Sequence, residues 1–292
     1  MLRTKIRGDF WFQLLVNGFL LGVLLVILIP LWYVLITSLT PLEIFNKEGV
    51  PFFLSPLKWS FAAYQQLLGQ PRFLRATLNS TIITGAGTAL SLTLTVPLAY
   101  ALSTPTLPGR NLITTLILFT FLFNPGLVPL YLVVTGLGLT DNLLAVILTP
   151  AVSVYNTLVM KSFFEGLPEE LKEAARMDGA NELQVLWSVI LPLSKPILLT
   201  IGLFYAVWYW NEYIMPILYL NDAKLIPLPV LLRNILASAS LNEYVEYNAF
   251  SAASIDSLKS AGVLLTMLPM LLLYPWIQRH FTKGTLVGAL KE

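Results

Sequence analysis

From Phe10 to Pro41 the chain carries no charged side chain, and this stretch constrains the fold more than any other. A helix needs about 20 apolar residues to cross the hydrocarbon of a bilayer, and few water-soluble helices offer so many without a charge. Arg3, Lys5 and Arg7 precede the run as they would in a secretion signal. The run is longer than the roughly 7–15 apolar residues of a cleavable signal, and no small-residue cleavage site follows it. It reads as a retained first span, Trp11 to Ser38. Only 12% of all residues are charged, where a soluble domain carries about 25%. With a mean hydropathy of +0.74, the chain reads as a polytopic, all-α membrane protein.

Composition also excludes chemistry. The absence of cysteine rules out disulfides, thiol catalysis and cysteine metal sites. A net charge of +2 gives no sign of nucleic-acid binding. No Gly-Lys pair occurs, so the chain lacks the G-x-x-x-x-G-K-[ST] phosphate loop. It also lacks H-E-x-x-H and G-x-S-x-G, and no catalytic or metal-ligating residue is assigned.

Five further spans follow. Thr77–Leu102 is rich in small residues that let helices approach closely, and it contains Pro97. Leu112–Val134 is interrupted by Asn124-Pro125-Gly126 and Pro129, and broken backbone at membrane depth is tolerated only against protein or water. Leu143–Phe163, Pro196–Leu220 and Leu258–Ile277 complete six. Residues 43–75 and 221–257 read as long polar connections, and the aromatic residues of the first are expected to lie partly along the membrane boundary. Six spans place both basic termini on one side. That side then holds eleven of the 18 Lys and Arg, including Arg110, Lys161, Lys172 and Arg176, which assigns it to the cytoplasm. Residues 1–10 form a cytoplasmic N-terminus, 11–292 a single permease-like domain, and 280–292 a cytoplasmic tail without a helix's apolar period.

One charged, ordered segment remains between the fourth and fifth spans. In residues 166–195, Pro168 suits a first helical position, with Glu169 and Glu170 at the positive end of the helix dipole. Leu167, Leu171, Ala174 and Ala175 form a narrow apolar stripe. Gly179 supplies the left-handed residue that ends this helix, and Asn181 with Gln184 resembles a capping box for a second. The second helix carries Leu183, Leu186, Trp187 and Ile190 on one face and is stopped by Pro192. From Glu165 to Glu182 six acids face two bases, an acidic knob that suits a basic-lined groove on a partner.

These residues resemble a known pattern. Glu173-Ala174-Ala175, three residues, Gly179, nine residues, then Val189-Ile190-Leu191-Pro192 resembles the EAA loop of ABC importer permeases, with Val189 where the family has isoleucine. The strings EAARMDGA, WNEY and KGTLVGALKE resemble the carbohydrate-uptake (MalG-like) branch. The final span and tail resemble importers of oligosaccharides from plant or algal polymers, including acidic ones such as alginate.

The resemblance implies a cytoplasmic helix-turn-helix that couples to an ATPase. Glu173 would face that ATPase, Ala174 and Ala175 would allow close approach, and Asp178, Gly179, Leu191 and Pro192 would complete the loop. It also implies a second homologous permease, two ATPase subunits that bind ATP and Mg, a periplasmic solute-binding protein and a sugar substrate, all at a bacterial inner membrane. ATP-driven alternating access would carry the sugar from periplasm to cytoplasm. Tyr209, Asn211, Glu212 and Asn124 are candidates for the substrate pathway. The same residues suit an aromatic belt, helix packing and satisfaction of freed backbone groups. An ion-gradient-driven secondary transporter is the competing reading, weakened because Glu212 is the only acid within these spans.

Overall fold

The computed structural model describes residues 2–237 and 253–288, with side chains placed for 12–237 and 253–273, and every regular element in them is helical. The middle of the 221–257 connection, and residues 289–292 of the tail, lie outside the described residues.

Two compact units divide the chain. The first comprises Met1–Pro71 and Asn234–Met267. It opens with α1 (Leu2–Leu39), which contains the expected first span and accommodates Pro30 without ending. The connection after it is not featureless. It forms α2 (Leu42–Glu48), a single 3-10 turn at Pro56–Lys58, and α3 (Ala62–Leu68). Ile36, Leu39, Leu54, Ala63 and Leu67 are buried in this unit.

The second unit comprises Arg72–Arg233 and Leu268–Glu292. Its long helix α4 (Pro71–Ser103) starts on a proline, which lacks only a hydrogen that the first turn leaves unused. Far more of α4 than of α1 is buried, so the small-residue span is the packed one. The third span is α5 (Arg110–Leu122) and α6 (Leu127–Gly136), bent by 111° where Gly126 takes a φ of +83°. Pro129 does not interrupt it. It sits in the first turn of α6, where proline is tolerated.

The expected fourth span is two helices, α7 (Leu143–Leu148) and α8 (Val154–Glu165). Pro150 lies between them and Ser153 caps α8 by accepting the Asn156 N–H. After α8 come α9 (Glu169–Met177), α10 (Glu182–Val185), a π-helical turn Leu186–Ile190, and α11 (Leu191–Leu193). The fifth span is α12 (Lys195–Asn211) followed by α13 (Ile214–Tyr219). Within the connection beyond it, α14 (Leu228–Ala237) buries Leu228, Leu231 and Ile235. The final helix α15 (Ile255–Gly288) contains the sixth expected span and continues through most of the tail, which sequence periodicity does not anticipate.

Among the described residues, three helices are long and apolar enough to cross a membrane: Phe12–Leu39, Pro71–Ser103 and Ile255–Leu273. Two bent pairs add up to two more, α5 with α6, and Glu182–Leu193 with Lys195–Asn211 at 86°.

Candidate functional site

The charged helix pair is built from local chemistry that the sequence specifies closely. α9 begins one residue later than expected, with Pro168 as its N-cap and Glu169 and Glu170 in the first turn. At its other end Ala180 N–H donates to Ala175 O and Gly179 N–H to Arg176 O, each at 3.0 Å. This 6→1 and 5→2 pairing is a Schellman motif, and it requires the left-handed φ of +87° that Gly179 adopts. The capping box is present in full. Gln184 N–H donates to Asn181 Oδ1 at 2.9 Å, and Asn181 N–H donates to Gln184 Oε1 at 2.8 Å. The turn between the two helices is therefore held by the backbone pairing of the Schellman motif and the side-chain bonds of the capping box together.

The charges sort into an inner and an outer set. Glu169 accepts from Lys172 Nζ at 2.7 Å and from Arg176 Nη1 at 3.1 Å. Arg176 Nε also donates to Glu182 Oε1 at 2.9 Å, and the Tyr100 hydroxyl of α4 donates to Glu182 Oε2 at 2.6 Å. Glu165 pairs with Arg110 and, at 2.8 Å, with Lys161. Hydrogen bonding from Lys172 holds the Glu169 carboxyl below its ordinary value, and hydrogen bonding from Arg176 and Tyr100 does the same for Glu182. The Arg176 guanidinium is raised in turn, chiefly by its bond to Glu182. These contacts tie the pair to α4. They leave Glu170, Glu173 and Asp178 exposed.

Each apolar stripe expected from the sequence is split, with part of it on the core and part facing outward. The inward side of α9 carries Lys172, 3% exposed, while Leu171 and Ala174 of the expected stripe face outward and only Leu167 and Ala175 pack on the core. In the second helix Val185, Leu186 and Ile190 join a core with Tyr100, Phe164 and Ile201. Leu183 and Trp187 point out, 66% and 70% exposed. The π turn shifts the face, because it places an extra residue in one turn. Pro192 does not end the helix. It follows that wide turn, Leu191 packs against the core, and the break falls at Ser194. The outer surface thus combines three free carboxylates with Met177, Leu183 and Trp187. Beside it a cavity of about 450 Å³ is lined by Pro97, Tyr100, Leu107, Glu182, Leu183 and Leu186.

The pathway candidates lie elsewhere, and each makes local bonds. Tyr209 is 2% exposed, donates to Ile147 O at 2.8 Å and meets Ser91 Oγ at 3.1 Å. Its neighbour Tyr205 receives the Ser153 N–H at 3.0 Å and meets Thr95 Oγ1 at 2.8 Å. The two tyrosines therefore satisfy the backbone groups freed by the α7–α8 break, a role that sequence reasoning missed although Pro150 and the Tyr-x-x-x-Tyr spacing were both visible. Asn211 donates to Val207 O within its own helix at 2.7 Å. Glu212 accepts from Ile214 and Met215 N–H at 2.8 and 3.0 Å and so starts α13. Asn124 accepts the Gly126 N–H at 2.9 Å across the α5–α6 bend.

Among the described residues, membrane-length apolar helices and a charged helix pair held by a Schellman turn and a capping box are the architecture of a polytopic membrane protein. Residues 93–287 match the model of the binding-protein-dependent transport system inner membrane component family, and the chain belongs to that family. It is a permease subunit of an ABC-type importer. It is 39% identical, over 96% of this chain and 98% of the relative, to the polygalacturonan/rhamnogalacturonan transport system permease protein YtcP of Bacillus subtilis. It is 26% identical to the arabinooligosaccharides transport system permease protein AraQ of the same organism, over 96% of each chain. A solved chain of a bacterial ABC transporter involved in the import of the acidic polysaccharide alginate superimposes with a TM-score of 0.87 at 35% identity, covering 94% of this chain and 98% of that one.

Proposed function

We propose that this permease imports an oligosaccharide, of the kind released from acidic plant or algal polysaccharides, and that residues 166–195 are its coupling loop to a partner ATPase. The full-length similarity to a polygalacturonan/rhamnogalacturonan permease and to a chain of an alginate importer carries the substrate class. The outward carboxylates of Glu170, Glu173 and Asp178 beside Met177, Leu183 and Trp187 support the docking role. Such a surface fits a groove with a basic rim and an apolar floor. The rigid turn at Gly179 supports it too, since a flexible loop would absorb the ATPase's movement.

In this reading the chain crosses the membrane six times with both termini in the cytoplasm. It works with a second permease, two ATPases that bind ATP and Mg, and a solute-binding protein at the outer face. Closure of the ATPases moves the coupling loop, which is tied to α4 through Tyr100 and Glu182, and the spans rotate to alternate access. In this reading Asn124 and Asn211, both exposed, face the pathway, while Tyr209 and Glu212 hold the chain's own backbone in place.

The test is purification with the native partners, followed by ATPase assays against neutral and acidic oligosaccharides with the binding protein present. Stimulation by one acidic oligosaccharide supports the substrate class, and stimulation by neutral sugars alone contradicts it. Glu173→Arg is expected to lower ATPase retention and uptake together while leaving membrane insertion unchanged. Wild-type uptake in that variant would remove the coupling role.

A further inference from the structure

The first span ends on a feature that importer function does not explain. From Phe12 to Leu31 every residue of α1 is exposed, and from Ile36 to Thr40 every residue is buried. Trp32 is the first of these residues to be partly covered, and burial is complete from Ile36. From Phe10, where the uncharged run begins, to Trp32 a helix rises about 33 Å, close to the ~30 Å thickness of the hydrocarbon core. Trp32 therefore marks the level at which α1 leaves the apolar interior, where tryptophan indoles concentrate.

The loop beyond α2 folds back to this level. The Trp32 indole donates to Phe52 O at 2.8 Å, and its ring stacks on Phe53 with centroids 6.5 Å apart. The loop is internally ordered. Trp59 Nε1 donates to Leu54 O at 3.1 Å, Ser60 N–H donates to Leu39 O at 2.9 Å, and Leu54 itself is buried. This framework holds three large apolar side chains pointing away from the protein. Phe52 is 69% exposed, Phe53 70%, and Leu57, on the 3-10 turn, 98%. Lys58, also exposed, follows Leu57.

We propose that Phe52, Phe53 and Leu57 form a foot that rests in the lipid headgroup region at the end of the first span and fixes the depth of α1 in the bilayer. The occupant of this apolar surface is the membrane itself, because the surface continues the lipid-facing flank of α1 at the height where the hydrocarbon ends. Two rings and a leucine at a boundary, with a lysine beside them, are the composition of an interfacial anchor.

The chain contains no cysteine, so single labels can be introduced directly. Phe53→Cys and Leu57→Cys, spin-labelled in the intact transporter in nanodiscs of phosphatidylethanolamine and phosphatidylglycerol, are expected to collide with oxygen at least threefold more than with a neutral nickel chelate. Exposed Gln65→Cys on α3 supplies the reference, with the opposite preference. Chelate-dominated collisions at both sites would place the loop in water and overturn the proposal. Low accessibility to both reagents would show a covering protein and overturn it equally. Transport by each labelled complex verifies its fold, and Phe52→Cys replaces either position that fails that check.

Discussion

The ring of Tyr209 lies so close to Gly87 that a methyl group on Gly87 would come within 2.5 Å of the ring carbon Cζ. Tyr209 cannot yield easily, since its hydroxyl is bonded to both Ile147 O and Ser91 Oγ. Gly87→Ala should therefore overpack this contact and cost about 1–3 kcal/mol. Gly85→Ala meets nothing within 4 Å and serves as the matched control, neutral or slightly stabilising through helix propensity. Thermal unfolding of the detergent-solubilised transporter reads the difference. Equal midpoints for the two variants would contradict the close packing of α4 on α12.

Removing a single hydroxyl isolates the hydrogen bonds from the packing. Tyr209→Phe keeps the ring over Gly87 but leaves Ile147 O without its donor, and Tyr205→Phe leaves the Ser153 N–H without its acceptor. Interhelical hydrogen bonds in membranes average about 0.6 kcal/mol and reach about 1.7. Each variant should lose stability in that range, and amide hydrogen exchange should accelerate at the α7–α8 break before it does in α4. Exchange that rises uniformly, or not at all, would mean that the tyrosines do not hold the break.

These examples show where sequence reasoning reaches and where it stops. The membrane class follows from long uncharged runs, and the turn at Gly179 with its capping box follows from residues three or four positions apart. Both are local, so both are legible. Prolines misled in a specific way. Pro129 and Pro192 look like breaks but occupy places where a missing N–H costs little, whereas Pro150 does separate two helices. The stripe on α9 misled for another reason. Periodicity identifies a face but not its direction, and here ion pairing to Glu169 draws Lys172 inward while Leu171 and Met177 face out. The link from Tyr100 to Glu182 joins residues 82 positions apart, and nothing in the intervening sequence announces it.

Gly179 offers a backbone test of the coupling loop. At a φ of +87° an L side chain is strained, by roughly 1–2 kcal/mol. No atom stands within 4 Å of the missing Cβ, so the strain is conformational and not steric contact. Gly179→Asn, which tolerates the left-handed region better, should retain more uptake than Gly179→Val. The ratio of sugar moved to ATP hydrolysed is the informative measurement. Should the two variants transport equally, the fixed angle between α9 and α10 is not required for coupling.

The inner ion-pair network also makes the helix pair sensitive to acid. Glu169 and Glu182 have their carboxyl pKa values lowered in the folded state, by bonds to Lys172 and to Arg176 respectively. A depressed carboxyl binds its proton less readily folded than unfolded. Its stabilising contribution is complete above the unfolded value of about 4.3 and is lost as pH falls through the folded value. Both side chains are partly solvated, at 44% and 57% exposure, so each pair contributes at most about 1 kcal/mol. The attachment of α9 to α4 should then be constant from pH 7 to about pH 5 and loosen below about pH 4. Spin labels at Met177→Cys and Thr106→Cys report it as a narrow distance distribution that broadens on acidification. In Glu169→Gln/Glu182→Gln the distribution should be broad at every pH, because neutral amides cannot hold Arg176 as the carboxylates do. A wild-type distribution that stays narrow down to pH 3.5 would show that burial of Val185, Leu186 and Ile190 alone anchors the pair.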